Sequence, residues 1–227
     1  MKKIFTLVFA SILFMSCSSD DDSSGPVLTD TPVAKAIYDD TSWGIYKGVF
    51  VGSSGVVLID INNSGAIEAT VTIDGNTHNF TTNESVELGD AINGMTFTSG
   101  SMSFDFYVDG AGDFPEVTNI NFPGHPDAQI SLLKEFSDEL VECIQGTFSG
   151  DDSGAFNLVI QGGDVYGLAH SNDGGDAIYL DGYLDNNQIL GYFDGGGFTG
   201  TKNGNNVSGS WENDLGESGN FSGQRKL

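Results

Sequence analysis

Hydrophobic and polar residues alternate along most of the chain from Trp43 onward. The segments GIYKGVF (44–50), FNLVI (156–160) and IYLDG (178–182) follow this pattern. Successive side chains of a β-strand point to opposite faces, so such alternation is typical of strands with one buried face. Turn-forming residues interrupt the alternation about every 8–12 residues, which is the spacing of β-sandwiches and β-barrels. The pattern predicts up to about sixteen short strands.

Several of the predicted turns are tight. Asp-Gly and Asn-Gly pairs favour two-residue hairpins, because both residues readily adopt a positive φ angle. The chain contains such pairs at Asp74-Gly75, Asn93-Gly94, Asp109-Gly110 and Asn203-Gly204. Strands that are joined by short turns must run antiparallel, so the sequence predicts an antiparallel meander.

The chain also contains two similar segments. Residues 48–69 align with residues 146–167, so that Gly48 and Phe50 correspond to Gly146 and Phe148. Two similar halves explain this internal repeat most simply. We expect the first β half to span 43–135 and the second to span 144–227. The junction 136–143 is predicted to contain a single helical turn with Ser137 as its N-cap.

Glycine and aromatic residues fall on the same faces of several predicted strands, as in Gly146, Phe148 and Gly150. A ring that lies over a neighbouring strand's glycine offsets the contacts that glycine lacks. This mixture suits a strongly curved sheet. We therefore predict an all-β fold with two small eight-stranded, barrel-like halves. A single β-sandwich or one continuous twisted sheet is the alternative.

Composition excludes several classes of partner. The 227 residues include 8 Lys and Arg against 32 Asp and Glu, which gives a formal net charge of −24. Phosphate binding needs a basic face, so a nucleic-acid partner is not expected. The hydrophobic fraction is 38%, which is enough to form a packed core in spite of the charge.

The first residues have the pattern of an export signal. Lys2 and Lys3 precede a charge-free run over 4–15, followed by Cys17 and the sequence SSDDD. The run is too short to span a bilayer and fits the hydrophobic region of a signal peptide. The whole segment resembles bacterial lipoproteins of the Bacteroidota type, in which a lipidated Cys is followed by an acidic surface-export signal.

This resemblance implies a signal peptide over 1–16, lipid on Cys17 and a flexible acidic tether over 17–42. It also implies a location at the outer membrane, with the body anchored by lipid and facing the cell exterior. The run 198–227, rich in Gly, Ser and Thr, is similar to the β repeats of uncharacterised surface lipoproteins. That second likeness adds fold and location only.

Acidic loops of the second half are candidates for a calcium site. Flexible loops with several oxygen ligands suit this hard cation, and the candidate ligands are Asp151, Asp152, Asp173 and Asp176. The other interpretation is turn chemistry, since turns favour Asp, Asn and Gly. No other cofactor is expected.

An outer-face binding site is the second candidate. Tyr179, Asp181 and Tyr183 share one face of a predicted strand, opposite Ile178 and Leu180. Two rings and a carboxylate suit a polyol, so a glycan or an envelope protein is the expected partner. Pairing across strands on a half-buried face is the alternative.

No catalytic motif is found, and no catalytic residue is predicted. Cys143 has apolar and acidic neighbours, which raise a thiol pKa, so we interpret it as a small buried residue rather than a nucleophile. The predicted function is a non-enzymatic binding or structural role at the outer envelope. The alternatives are a lipocalin- or avidin-like carrier of a small ligand and a glycan-active hydrolase.

Overall fold

The computed structural model describes residues 28–52 and 54–227 and forms an all-β structure. A short 3₁₀ helix, η1 (Ala36–Tyr38), precedes the strands. The first half contains β1 (Gly44–Val51), β2 (Gly55–Ile61), β3 (Ile67–Ile73), β4 (Asn76–Thr81), β5 (Ile92–Ser99), β6 (Met102–Val108), β7 (Glu116–Asn121) and β8 (Gln129–Glu135). The second half contains β9 (Glu142–Gly150), β10 (Gly154–Gln161), β11 (Asp164–Ser171), β12 (Ile178–Asp185), β13 (Gln188–Phe193), β14 (Gly196–Asn203), β15 (Asn206–Asn213) and β16 (Ser218–Arg225). No helix in the described part of the chain is long and apolar enough to cross a membrane.

The two halves are both eight-stranded antiparallel sheets, which confirms the predicted fold class. The first sheet has the order β7-β6-β5-β4-β3-β2-β1-β8, and it is nearly closed because β7 and β8 contact each other without forming a ladder within the described residues. The second sheet closes completely, since β16 pairs with β9. Closure leaves the second half without an exposed sheet edge. The aligned segments of the predicted repeat begin on β1 and β9. These two strands have equivalent places, because β1 lies between β2 and β8, and β9 lies between β10 and β16.

The predicted hairpin dipeptides have different outcomes. Asp74-Gly75 forms the two-residue β3–β4 turn, and both residues have a positive φ angle. The β14–β15 turn is Gly204-Asn205, one residue later than predicted, because Asn203 is the last residue of β14. Asn93-Gly94 does not form a hairpin, because it lies inside β5 at a bulge in the pairing with β6. Gly94 has φ +91°, and a β-carbon there would lie 2.7 Å from the hydroxyl of Tyr107. A positive φ angle is therefore found at Gly94 but not at Asn93, and it serves a bulge instead of a turn.

The junction between the halves is a turn and not the predicted helical turn. Phe136 and Glu139 form an isolated antiparallel bridge. Ser137 caps no helix, because its N–H and its hydroxyl both donate to the carboxylate of Asp39, at 2.9 and 2.7 Å. A contact with a residue that is distant in sequence therefore fixes this segment.

The chain is ordered well before the predicted boundary at residue 43. The N–H of Val33 donates to the carboxylate of Glu135 at 2.8 Å. Arg225 lies 3.2 Å from Asp30 and so connects the start of the described chain to the last strand. The predicted tether over 17–42 therefore covers some residues that pack against the body, and the rest of it lies outside the described residues.

The first half is filled by aromatic side chains. Its core includes Tyr46, Phe50, Phe80, Phe97, Phe104, Phe106 and Phe122, all nearly inaccessible to solvent. Phe122 comes from the connection between β7 and β8 and enters the interior. Its ring lies 6.3 Å from that of Phe50 and 5.9 Å from that of Phe80. Phe122 therefore fills the interior of the first half at the end where β1 terminates.

The two halves pack through their outer faces. Their contact surface is apolar and includes Val49, Val56, Leu58, Leu133, Val141, Cys143, Val159 and Leu227. Within it, Lys47 forms an ion pair with Glu135, whose carboxylate also accepts the N–H of Val141 at 3.2 Å. The side chain of Asn157 donates to the backbone carbonyl of Phe50 at 2.7 Å. These charged and polar groups are buried between two apolar faces, and each has a partner there.

Phenylalanine rings lie over glycines inside the second half, as predicted. A β-carbon on Gly191 would overlap the ring of Phe198, and one on Gly200 would lie 2.7 Å from the ring of Phe221. The rings of Phe198 and Phe221 also meet edge to face at 5.9 Å. The missing side chains of the glycines thus make room for the rings that fill the barrel.

The glycine positions can be tested by substitution. We expect Gly191→Ala to lower the free energy of unfolding by about 1–3 kcal/mol, because the new methyl group must displace the ring of Phe198. Gly197→Ala is the matched control, since Gly197 lies on the paired strand and its nearest atom beyond its chain neighbours is a carbonyl oxygen at 3.1 Å. Urea denaturation measures both. Equal losses in the two variants would contradict the predicted role of the ring.

Candidate functional site

The second barrel is closed at one end. Four aliphatic side chains fill this end, namely Ile160, Val165, Ile189 and Val207. Beyond them, Glu142 accepts from Lys202 at 3.0 Å and lies 3.4 Å from the guanidinium Nε of Arg225. The side chain of Arg225 is only 3% exposed. Arg225 also pairs with Asp30 at 3.2 Å, so two cations face two carboxylates at this end.

The opposite end of the barrel is open. A cavity of about 120 Å³ extends from this end into the interior. Its inner wall is formed by Phe156, Leu158, Ala169, Leu180, Phe198 and Phe221. These side chains are apolar and come from β10, β11, β12, β14 and β16, so the barrel itself provides the wall. The site is a small apolar pocket with one entrance.

The aromatic rings near the entrance pack closely against glycines of the neighbouring strands, so the rings lie near the barrel wall and the entrance stays open. Phe148, Phe193 and Trp211 line the cavity. A β-carbon on Gly154 would lie 2.7 Å from the ring of Phe148, and one on Gly219 would lie 2.6 Å from Nε1 of Trp211. The rings can thus lie close to the backbone of the neighbouring strands. The indole N–H also donates to the carbonyl of Ser149 at 3.3 Å, which orients the Trp211 ring.

Three polar side chains complete the rim, namely Asp152, Asn213 and Glu217. Oδ1 of Asp152 accepts from the hydroxyl of Ser171 at 2.8 Å. The amide of Asn213 donates to Oε2 of Glu217 at 2.7 Å and orders the turn between β15 and β16. None of the residues that line the cavity is Lys, Arg or His. The entrance is therefore aromatic and acidic.

In the described residues of the first half, Phe122 occupies the interior at the corresponding end. In the second half, the β15–β16 connection at this position is the short turn 214–217, which contains no aromatic residue. The rings of Phe148 and Trp211, which meet edge to face at 6.0 Å, are left at the entrance. The two halves therefore differ at this end in whether the connection carries an aromatic residue.

The predicted calcium ligands lie in loops at the open end. Asp152 is on the rim, and Oδ2 of Asp151 accepts the N–H of Ser218 at 2.9 Å. The N–H of Asp173 donates to the hydroxyl of Ser171 at 3.1 Å, and Asp176 follows in the same loop. In the described part of the chain, no group of three or more His, Cys, Asp or Glu residues is placed to hold a metal ion. The hydrogen bonds made by Asp151 and Asp152 stabilise the loops that surround the entrance.

The predicted outer-face residues lie together on β12. Tyr179 is 72% exposed and Tyr183 is 47% exposed, with Asp181 between them on the same face. Asp181 pairs across the sheet with Tyr166 on one side and Tyr192 on the other. Tyr166 was not singled out from the sequence, because only the strand register brings it next to Asp181. A glycan or protein partner for this face stays a prediction.

The two cysteines differ in what the structure describes. Cys17, the predicted lipidation site, lies outside the described residues. Cys143 is fully buried between the halves, and burial raises the pKa of its thiol to about 12. This environment agrees with the interpretation of Cys143 as a small buried residue and keeps the thiol protonated at neutral pH.

The raised pKa of Cys143 predicts a loss of stability in alkali. Above pH 9 the thiol ionises in the unfolded chain but stays protonated in the folded protein, so the unfolded state is favoured by about 1.4 kcal/mol per pH unit. We expect the free energy of unfolding of the natural protein to fall more steeply between pH 9 and pH 11 than that of Cys143→Val, as measured by urea denaturation. Parallel declines in the two proteins would contradict the prediction.

Comparison with known proteins gives no relative from which a function could be transferred. No protein-family model, no curated protein and no solved structure matches this chain. The functional argument therefore depends on the geometry of the second barrel and on the pattern of the N-terminal sequence.

Proposed function

We propose that this protein binds a small apolar ligand in the open end of its second barrel while a lipid on Cys17 anchors it to the outer membrane. The observation that carries the proposal is the apolar cavity, which is open at one end of the barrel, while aliphatic side chains fill the other end. Of the functions considered from the sequence, the small-ligand carrier agrees best with this geometry.

The size of the cavity limits the ligand. A cavity of about 150 Å³ lined by apolar side chains is enough to bind benzene. The cavity here is about 120 Å³, so it accommodates a group of similar size, such as a six-membered ring or a short branched chain. Because the barrel is open, the rest of the ligand extends past Phe148 and Trp211 into solvent.

Burial of the apolar group provides the affinity. Each buried methylene contributes about 0.8 kcal/mol, so a group of six carbons contributes about 5 kcal/mol. A free energy of about 4–5 kcal/mol corresponds to a dissociation constant near 1 mM or somewhat below. Tighter binding requires further contacts at the rim.

The anchor is supported by the sequence. A charge-free run, Cys17 and an acidic segment follow one another in the order expected of a surface lipoprotein. The described chain begins beside Arg225, at the closed end of the second barrel. If the anchored segment joins the barrel at this closed end, the open end lies on the side of the barrel that faces away from the anchor.

Filling the cavity tests the binding site. We expect Ala169→Leu to weaken binding of cyclohexylmethanol at least tenfold, because Ala169 is a wall residue and a larger side chain occupies the ligand's space. Trp211 fluorescence in a Trp43→Phe background reports binding, since Trp211 lies at the entrance. Thr199→Leu, on the outer face of β14, is the control and should bind as the unsubstituted protein does. Equal binding by both variants would place the ligand elsewhere, and no binding by any form would refute the proposal.

Replacing the cysteine tests the anchor. We expect Cys17→Ala to abolish incorporation of radiolabelled palmitate and to release the protein from the membrane fraction. Cys143→Ala is the matched control, because it removes the other cysteine and should leave both labelling and fractionation unchanged. Membrane retention of the Cys17→Ala protein with unchanged labelling would show that the anchor lies elsewhere.

A further inference from the structure

We infer that the ligand of the second barrel is a small organic cation, with an apolar group in the cavity and an ammonium group at the rim. This inference rests on the proposed function, since it assigns the chemical class of the ligand in that cavity. It is argued from the groups at the entrance and from the positions of the protein's cations.

The rim carboxylates retain acceptor capacity. Within the described residues, Oδ1 of Asp152 accepts the hydroxyl of Ser171, and Oε2 of Glu217 accepts the amide of Asn213. The other oxygen of each carboxylate receives no hydrogen bond from these residues. An ammonium group provides three donors and a positive charge, so it matches both requirements of this rim.

The aromatic side chains at the entrance favour the same class of ligand. A cation is attracted to the face of an aromatic ring, most strongly to that of tryptophan. Phe148 and Trp211 meet edge to face at the entrance, with ring centroids 6.0 Å apart. An apolar cation therefore gains from the rings as well as from the carboxylates.

None of the residues that line the cavity is basic. Arg225 and Lys202 lie at the closed end, where Glu142 pairs with both. The whole chain carries a formal charge of −24, which concentrates cations near its surface and repels anions. The barrel thus separates its positive charges from the entrance, and an anionic ligand would meet uncompensated carboxylates there.

The apolar wall of the cavity determines where the charge of the ligand lies. Burying an ammonium group completely would cost several kcal/mol of lost hydration. The inner wall offers only apolar side chains to compensate this loss. The apolar group therefore enters first, and the ammonium group stays at the rim between Asp152 and Glu217, where it remains partly hydrated.

Three probes of equal shape test the inference on the full chain. Cyclohexylmethylammonium, cyclohexylmethanol and cyclohexanecarboxylate differ mainly in the charge at the rim. At pH 7 and low salt we expect the ammonium probe to bind at least tenfold more tightly than the alcohol, and the carboxylate to bind more weakly than either. Isothermal titration calorimetry measures the three affinities, and the preference should decrease in 1 M salt because salt screens exposed charges.

A charge-neutralising variant separates recognition from loop stability. The double variant Asp152→Asn, Glu217→Gln should lose most of the preference for the ammonium probe over cyclohexylmethanol, with both affinities measured on the same variant. Asp185→Asn is the control, because Asp185 lies at the β12–β13 turn of the closed end and its loss changes the net charge without changing the rim. The control should keep the full preference.

The outcomes distinguish the two proposals. If no probe binds, the proposed function fails. If all three probes bind equally, or if the double variant keeps the preference for ammonium, the cavity is a binding site but the assignment of a cationic ligand is wrong.

Discussion

The structure of the second barrel depends on rings that lie over glycines. Phe198 occupies the place that a side chain on Gly191 would fill, and Phe221 does the same for Gly200. A strand that bears glycine on its inner face is weak by itself. The rings supply the missing contacts and fill the middle of the barrel, while near the entrance the same arrangement leaves an open space. The ring–glycine contacts therefore shape both the core of the barrel and the wall of its cavity.

The distribution of charge follows from where the barrel is open. Arg225 is almost completely buried, and a buried charge needs a partner, which Glu142 provides. At the entrance, carboxylates stay in contact with solvent and need no counter-ion within the protein. The buried pair Lys47–Glu135 follows the same rule between the halves. Buried charges are thus paired within the protein, whereas the carboxylates at the entrance have no basic residue among the side chains that line the cavity.

The sequence predicted the parts of the fold that depend on local patterns. Alternation of residue types revealed the strands, and the shared faces of glycine and phenylalanine indicated a filled, curved sheet. Long-range pairing decided the rest. The bulge at Asn93-Gly94 depends on the register with β6, and the placement of Ser137 depends on Asp39, which comes 98 residues earlier in the chain. Asp152 was predicted as a calcium ligand, and only barrel closure brings it to the rim of an apolar cavity.

The contrast between the halves shows how little sequence separates a filled barrel from an open one. Phe50 packs over Gly55 in the first half as Phe148 packs over Gly154 in the second. The two halves differ in the connection that lies next to these rings. In the first half the connection 122–128 brings in Phe122, which contacts three other rings, whereas in the second half the turn 214–217 carries no aromatic residue. Two sheets of similar topology therefore differ in their interiors at this end, where one connection supplies a ring and the other does not.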